Sequence, residues 1–429
     1  MQQPFTFPDW AKSTNIYEVN LRQYTPEGTF AAFEAALPRL KDMGVEILWF
    51  MPITPISKTK RLGSLGSYYA AADYTSTNPE FGTVDHFKHL VAEAHRLGFK
   101  VIIDWVANHT GWDHHWTQTN PAFYKKDATG NFFDAHGWHD VIDLDYTNEA
   151  LRIAMLYAME FWLKECNIDG YRCDMAHLVP LDFWQAARTH LGTVKKELFW
   201  LAETEDVVYH LAFDATYAWE LLHTMEAIVK GTVGLPQLEA VLHKYDERFP
   251  AGAVHAAFTS NHDENSHSGS EYERLGEAAK AFAVLTATWK NCMPLVYSGQ
   301  ELPNKKRLKF FEKDEIEWTG TNWLHGFYKN LFSLRRSCTS LQVGHRGSTC
   351  KRIKTSADEN VFAYRLQSET DCVLVMLNLS GLPKANITLA AEKVTGTYHS
   401  AFSGIPYQFT SETTFELNAW EYLVLYRQL

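Results

Sequence analysis

The sequence predicts a (β/α)8 TIM barrel with a short inserted domain after its third strand and a C-terminal antiparallel β-sandwich domain. Three observations predict it. Between residue 15 and about 300, short apolar runs alternate with amphipathic stretches. Residues 109 to about 146 break that alternation with a loop-like mixture of Gly, Asn, Pro, His and aromatics. Beyond Val343 the apolar period changes to two.

The runs that read as strands are 16–24, 45–52, 100–108, 169–176, 199–204, 215–220, 255–261 and 294–300. Several are nearly continuously apolar, as parallel strands covered on both faces must be. The helical patterns 30–43 and 84–97 stop before Gly44 and Gly98, glycines suited to a left-handed C′ cap. A third, 149–165, carries apolar residues at helical spacing. Eight strands separated mainly by helices close into a barrel. Near the end, 360–367, 372–378 and 421–426 alternate like antiparallel strands. The predicted division is a barrel of 1–108 with 147–343, an inserted domain of 109–146, and a C-terminal domain of 344–429. A chain of 429 residues exceeds one ordinary compact core, which suits a large domain with attachments.

Composition narrows the function. The chain is 46% hydrophobic and 21% charged, as soluble globular proteins are. Its 14% aromatic content serves either a large core or flat faces on which sugar rings stack. Lys and Arg number 40 against 51 Asp and Glu, a net charge of −11 with no basic stripe. The short basic clusters at 58–61 and 305–309 read as solvated loops, so no nucleic-acid partner is expected. The most apolar segment, 45–56, is too short for a membrane span and contains Glu46 and two prolines. The N-terminal MQQPFTFPDW has neither a basic nor an apolar leader region. The six cysteines show no metal or CxxC spacing and read as reduced, and together these features suggest the cytoplasm. Cys166, Cys173 and Cys292 read as small buried hydrophobes.

Reactive groups of such a barrel sit at the C-terminal ends of its strands. The third strand ends in DWVANH (104–109), the fourth in GYRCDMAH (170–177), the fifth in LAETED (201–206) and the seventh in FTSNHDEN (258–265). Singly, each has a structural reading: an Asp after a strand caps the next helix, and an Arg beside an Asp forms an ion pair. Together, in this order, the four segments resemble the signature regions of the α-amylase family, glycoside hydrolase family 13. GVEILWFMP (44–52) and MPLVYSGQE (293–301) agree with it, and the resemblance spans nearly the whole chain.

That resemblance implies a retaining hydrolase of α-1,4-glucosidic bonds in starch-derived maltodextrins, with no cofactor needed for the chemistry. Such hydrolysis uses one carboxylate to attack the anomeric carbon and one carboxylic acid to protonate the leaving oxygen. By resemblance Asp174 is the nucleophile, kept ionised by Arg172, and Glu203 is the general acid/base with a raised pKa. Asp263 matches the third carboxylate, which grips sugar hydroxyls and distorts the ring. His109 and His262 match substrate-binding histidines, and His177 a position facing the departing sugar. Tyr69 in GSYYAAADY (66–74) matches an aromatic platform, with Tyr68 one residue away. Asp104 is implied to be structural, bonded to Arg172. A calcium site between barrel and insertion is implied through Asn108, Asp143 and the carbonyl of Leu178. Calcium wants six to eight oxygens, and the short insertion offers no evident others, so Asn108 bracing the loop by hydrogen bonds is the other reading.

Within the family, the alternatives are a cyclomaltodextrinase, an α-glucosidase or a 4-α-glucanotransferase, which share the covalent intermediate. The short insertion favours an open groove, and no appended carbohydrate-binding module is visible, which favours soluble dextrins over granules. A non-catalytic carbohydrate-binding homologue would lack at least one of the three carboxylates, and all three are present.

Overall fold

A computed structural model describes residues 5–344, 347–390, 394–410 and 412–429. The first four residues of the stretch read for a leader therefore lie outside the described residues. Eight parallel strands close a barrel: β1 (Ile16–Val19), β2 (Ile47–Phe50), β3 (Lys100–Trp105), β4 (Gly170–Cys173), β5 (Phe199–Ala202), β6 (Ala215–Tyr217), β7 (Val254–Phe258) and β8 (Cys292–Tyr297). β1 closes the ring, pairing Ile16 with both Ile47 and Leu295. Apart from half-buried Lys100, every strand residue is buried, because side chains fill the interior and helices cover the outside. Gly170 opens β4 at φ +155°, where a Cβ would fall 1.9 Å from the carbonyl oxygen of Phe199. Only a residue without a side chain fits there.

Each observed strand is shorter than its apolar run at the C-terminal end, by two to five residues. There the chain turns out of the barrel, and the apolar or polar residues that follow line the rim. The run 16–24, for instance, splits into β1 and a short helix, Leu21–Tyr24. The expected helix 30–43 is two, Phe30–Glu34 and Leu37–Met43. Pro38 explains the break: it lacks an N–H and is tolerated only in the first turn of the second helix. Gly44 caps that helix at φ +90°, and Gly98 follows Val84–Arg96 at φ +81°. The helix Glu149–Cys166 ends in left-handed Asn167.

After β3 the chain makes a small excursion built on an antiparallel pair, His109–Gly111 with Val141–Asp143. It also contains two single turns, Trp116–Thr119 and Pro121–Phe123. The C-terminal region carries β9 (Thr349–Ile353), β10 (Val361–Gln367), β11 (Asp371–Asn378), β12 (Lys384–Ile387), β13 (Gly396–Ser400), β14 (Pro406–Phe409), β15 (Phe415–Leu417) and β16 (Tyr422–Gln428). Six form one antiparallel sheet in the order β9-β10-β11-β16-β13-β14, and β12 pairs with β15. The alternation along β10 and β11 explains the layering. Phe362, Tyr364, Val373 and Val375 join the barrel's core, while Val361, Ala363, Cys372 and Leu374 pack with Ile387 and Leu417 of the small ribbon. Cys166, Cys173 and Cys292 are buried in the core. Among the described residues no helix is long and apolar enough to cross a membrane.

Candidate active site

The site is assembled around one guanidinium. Arg172 in β4 is fully buried, and its Nη1 lies 2.9 Å from Asp104 Oδ1 and 3.0 Å from Asp174 Oδ1. Its Nη2 lies 2.9 Å from Glu203 Oε2, and its Nε donates to the Tyr217 hydroxyl at 3.2 Å. One cation therefore faces three carboxylates from β3, β4 and β5. Immediately after Asp174, Met175 takes a left-handed conformation, φ +41°, and its N–H donates to Glu203 Oε2 at 2.8 Å. A side chain in that region costs on the order of 1–3 kcal/mol, a strain typical of functional turns.

Burial dominates the electrostatics. Loss of water raises Glu203 to about 7, against the pull of Arg172 and with Asp174 and Asp263 adding to the rise. It likewise raises Asp174 to about 6, again opposed by Arg172. Arg172 does favour ionised Asp174, as the sequence suggests, but its charge is divided among three acids and burial outweighs it.

Asp263 and His262 follow β7. Buried His262 places Nδ1 2.5 Å from Glu18 Oε1, and Nε2 2.7 Å from the Tyr69 hydroxyl and 3.3 Å from Asp263 Oδ2. Burial pulls the imidazole down, yet the carboxylates of Asp263 and Glu18 push it up to about 9. His109 behaves oppositely: burial lowers it to about 4, leaving a neutral ring edge-on to Trp138. Tyr69 stacks on the His262 ring at 5.3 Å and donates to Asp104 Oδ2 at 3.1 Å. Tyr68 instead turns away, its ring under the Arg22 guanidinium and its hydroxyl donating to Asn20. Asp174, Glu203, Asp263, Tyr69 and His109 line one cavity of about 410 Å³ at the C-terminal face of the barrel.

A family model described as the alpha amylase catalytic domain matches residues 5–137 and 120–323. The chain belongs to the α-amylase family. It is 26% identical to the α-amylase MalA of Haloarcula japonica over 93% of its own length, and spans 61% of that relative's length. Among solved structures it resembles an α-amylase from Lactobacillus plantarum, at 27% identity and TM-score 0.88, covering 97% of this chain and 99% of that one. A noncanonic maltogenic α-amylase, AmyB of Thermotoga neapolitana, matches with the same coverage and TM-score at 30% identity.

Of the residues singled out in the sequence, Arg172, His262 and Asp143 stand buried behind the cavity lining of this α-amylase-family chain, and His177 and Asn108 do not join it either. His177 is exposed in the turn Ala176–Leu178, and its carbonyl accepts from the Tyr209 hydroxyl. Asn108 sits beside His109, its Nδ2 3.3 Å from the ring Nδ1, and its carbonyl accepts from Leu144. Nor do the groups around Asp143 fit calcium. Asp143 is fully buried, but its Oδ2 lies 3.1 Å from the ammonium of Lys125 and 3.7 Å from His136 Nε2. Asp143 Oδ1 has no hydrogen-bond partner among the described residues, and Asp134, His136 and Asp143 bring ligand atoms within 4.8 Å of one another. One of the three is an imidazole, however, two carboxylates fall short of the six to eight oxygens calcium takes, and the Lys125 ammonium already sits at Oδ2.

Several residues escaped the sequence reading. Trp138, Phe310 and Phe311 wall the cavity from loops without periodicity. Phe310 lies nearly parallel to Tyr69 at 6.3 Å. Glu18 did leave a signal, a charge in the middle of a strand buried on both faces.

Proposed function

We propose that this chain is a retaining α-glucan hydrolase that cleaves α-1,4-glucosidic bonds of maltodextrins through a glycosyl-enzyme intermediate on Asp174. The observation that carries this reading is the pairing of Asp174 and Glu203 on one buried guanidinium, with both acids open to the same cavity. In the first step Glu203 gives its proton to the glycosidic oxygen while an Asp174 oxygen attacks the anomeric carbon. The bond to the leaving sugar breaks and a glycosyl ester forms. Glu203, now a carboxylate, then takes a proton from water as the water oxygen attacks that carbon and Asp174 departs. Raised Glu203 suits the acid, and Asp174, lower than Glu203, suits the nucleophile.

Asp263 and charged His262 grip hydroxyls of the cleaved sugar, Tyr69 supplies the platform beneath it, and neutral His109 adds a hydrogen bond. His177 reaches only a sugar leaving along the rim. No cofactor enters these steps, and Lys125 supplies the positive charge that Asp143 needs. The walls of Trp138, Phe310 and Phe311 favour a second reading of the same chemistry, release of short products, in line with the maltogenic relative.

Glu203→Gln tests the mechanism: hydrolysis of maltooligosaccharides should collapse, and undiminished hydrolysis would overturn it. Chromatography of products from maltoheptaose, β-cyclodextrin, pullulan and an aryl α-glucoside separates the readings. Rapid opening of cyclodextrin indicates a cyclomaltodextrinase, and release of glucose alone indicates an α-glucosidase.

A further inference from the structure

Glu18 is a charged side chain with no exposure, in the middle of β1. Such a group is retained in a barrel interior only if something compensates its charge. Arg172 is already shared among Asp104, Asp174 and Glu203. Among the described residues, the ion pair that Glu18 makes is with His262, through the 2.5 Å contact to Nδ1, and its Oε2 has no hydrogen-bond partner.

The opposite side of the same ring points to its state. Nε2 faces Asp263 Oδ2 at 3.3 Å and the Tyr69 hydroxyl at 2.7 Å. The Tyr69 proton is directed to Asp104 Oδ2, so its oxygen is free to accept. A carboxylate stands at each ring nitrogen, and each nitrogen then carries a proton. A chain of hydrogen bonds thus runs from Glu18 through His262, Tyr69 and Asp104 to Arg172 and Asp174. Trp49, edge-on to the imidazole at 6.0 Å, and Phe310 at 6.3 Å add no charge, while the Arg172 guanidinium opposes the charge of the ring and is outweighed by Asp263 and Glu18.

We propose that Glu18 is a positioning residue for the reaction: it orients the His262 ring from behind and makes its Nε2–H a charged donor that fixes Tyr69 and Asp263, two residues that line the cavity. This rests on the hydrolase reading above and adds a residue that touches no substrate. A charged donor bonds about twice as strongly as a neutral one, and the gain is largest as negative charge moves through the site. The effect belongs in kcat, because Glu18 lies outside the cavity and contributes nothing to ground-state binding.

The test combines Glu18→Gln with direct observation of His262. Loss of the carboxylate behind a metal-bound histidine costs on the order of 10- to 100-fold in activity, and the same order is expected here. In Glu18→Gln, kcat on maltoheptaose should fall by that factor at pH 7 with KM little changed. The alkaline limb, set by Glu203 in the wild type, should come to be set by loss of the His262 proton and so move to lower pH, with activity recovering relative to wild type toward pH 5. In the unmodified protein labelled with ¹⁵N-histidine, His262 should hold both ring protons at pH 8. A wild-type kcat and pH profile in Glu18→Gln would overturn the proposal. So would a His262 that is neutral at pH 7 in the unmodified protein, a measurement that stands even if the variant does not fold. Glu203→Gln run alongside keeps the two claims apart: if it stays fully active, the hydrolase reading falls, whereas a dead Glu203→Gln with an unaltered Glu18→Gln removes only the role of Glu18.

Discussion

Arg172 and Asp104 meet at 2.9 Å with neither side chain exposed to solvent. Asp104 also accepts from the Trp49 indole at 3.2 Å and from the Tyr69 hydroxyl at 3.1 Å. It therefore anchors the guanidinium through the same Nη1 that meets Asp174, and its own charge raises Asp174. Asp104→Asn should lower kcat by more than tenfold on the order set by misplaced catalytic groups. The acid limb of the rate profile should move to lower pH, since one of the charges that raise Asp174 is gone. Breaking a buried pair from one side costs about 3–5 kcal/mol, which urea unfolding would read.

The pH dependence follows from the two acids. Activity requires Asp174 ionised, above about 6, and Glu203 protonated, below about 7. The profile of kcat/KM should be a narrow bell around these values, with the two limbs belonging to the coupled pair. Stability carries the same signature. Glu203 titrates near 4.5 when unfolded and near 7 when folded, so the folded state holds its proton more tightly. Its stabilising contribution is fully present below the unfolded value and is lost as pH rises through the folded one. Relative to wild type, Glu203→Gln should therefore gain stability between pH 5 and pH 8, as differential scanning calorimetry would show.

Lys125 and Asp143 make a prediction about metal. The ammonium 3.1 Å from a fully buried carboxylate already supplies the charge a cation would bring. Dialysis against EDTA should leave both activity and Tm unchanged. Lys125→Ala should cost about 1–3 kcal/mol, less than a fully buried pair because the lysine is 39% exposed. A fall in Tm on EDTA treatment of the wild type would reject this account.

Phe310 walls the cavity and lies nearly parallel to Tyr69. Removing its ring should open the site toward longer chains. Phe310→Ala should lengthen the products formed from maltoheptaose and weaken binding of maltotriose by about 0.5–1.5 kcal/mol, the worth of an aromatic contact. Chromatography and KM measurements check both parts.

Much of this was legible in the residues themselves. Apolar runs such as those containing Ile47–Phe50 and Phe199–Ala202 announce strands covered on both faces, and Gly44 and Gly98 mark helix ends through a backbone conformation that favours glycine. The strands end before the apolar runs do because the chain leaves the barrel at Asn20 and at Ser298 and Gly299, where Asn and Gly are poorly suited to a strand. Trp138, Phe310 and Phe311 escaped notice because loop residues carry no period, and their approach to Tyr69 depends on how distant segments fold back.

The order of segments along the chain determined the barrel, its insertion, the C-terminal sheet and the family, because periodicity and short motifs are local properties. It also supplied the acids Asp174, Glu203 and Asp263 in their places after β4, β5 and β7. Only the tertiary structure decided how those acids differ. The protonation of Asp174 and Glu203 depends on burial and on sharing one guanidinium, and the groups around it come from separate segments: Arg172 and Asp104 are 68 residues apart. Electrostatic energy depends on distance in space and on the exclusion of water, and neither is set until the barrel closes.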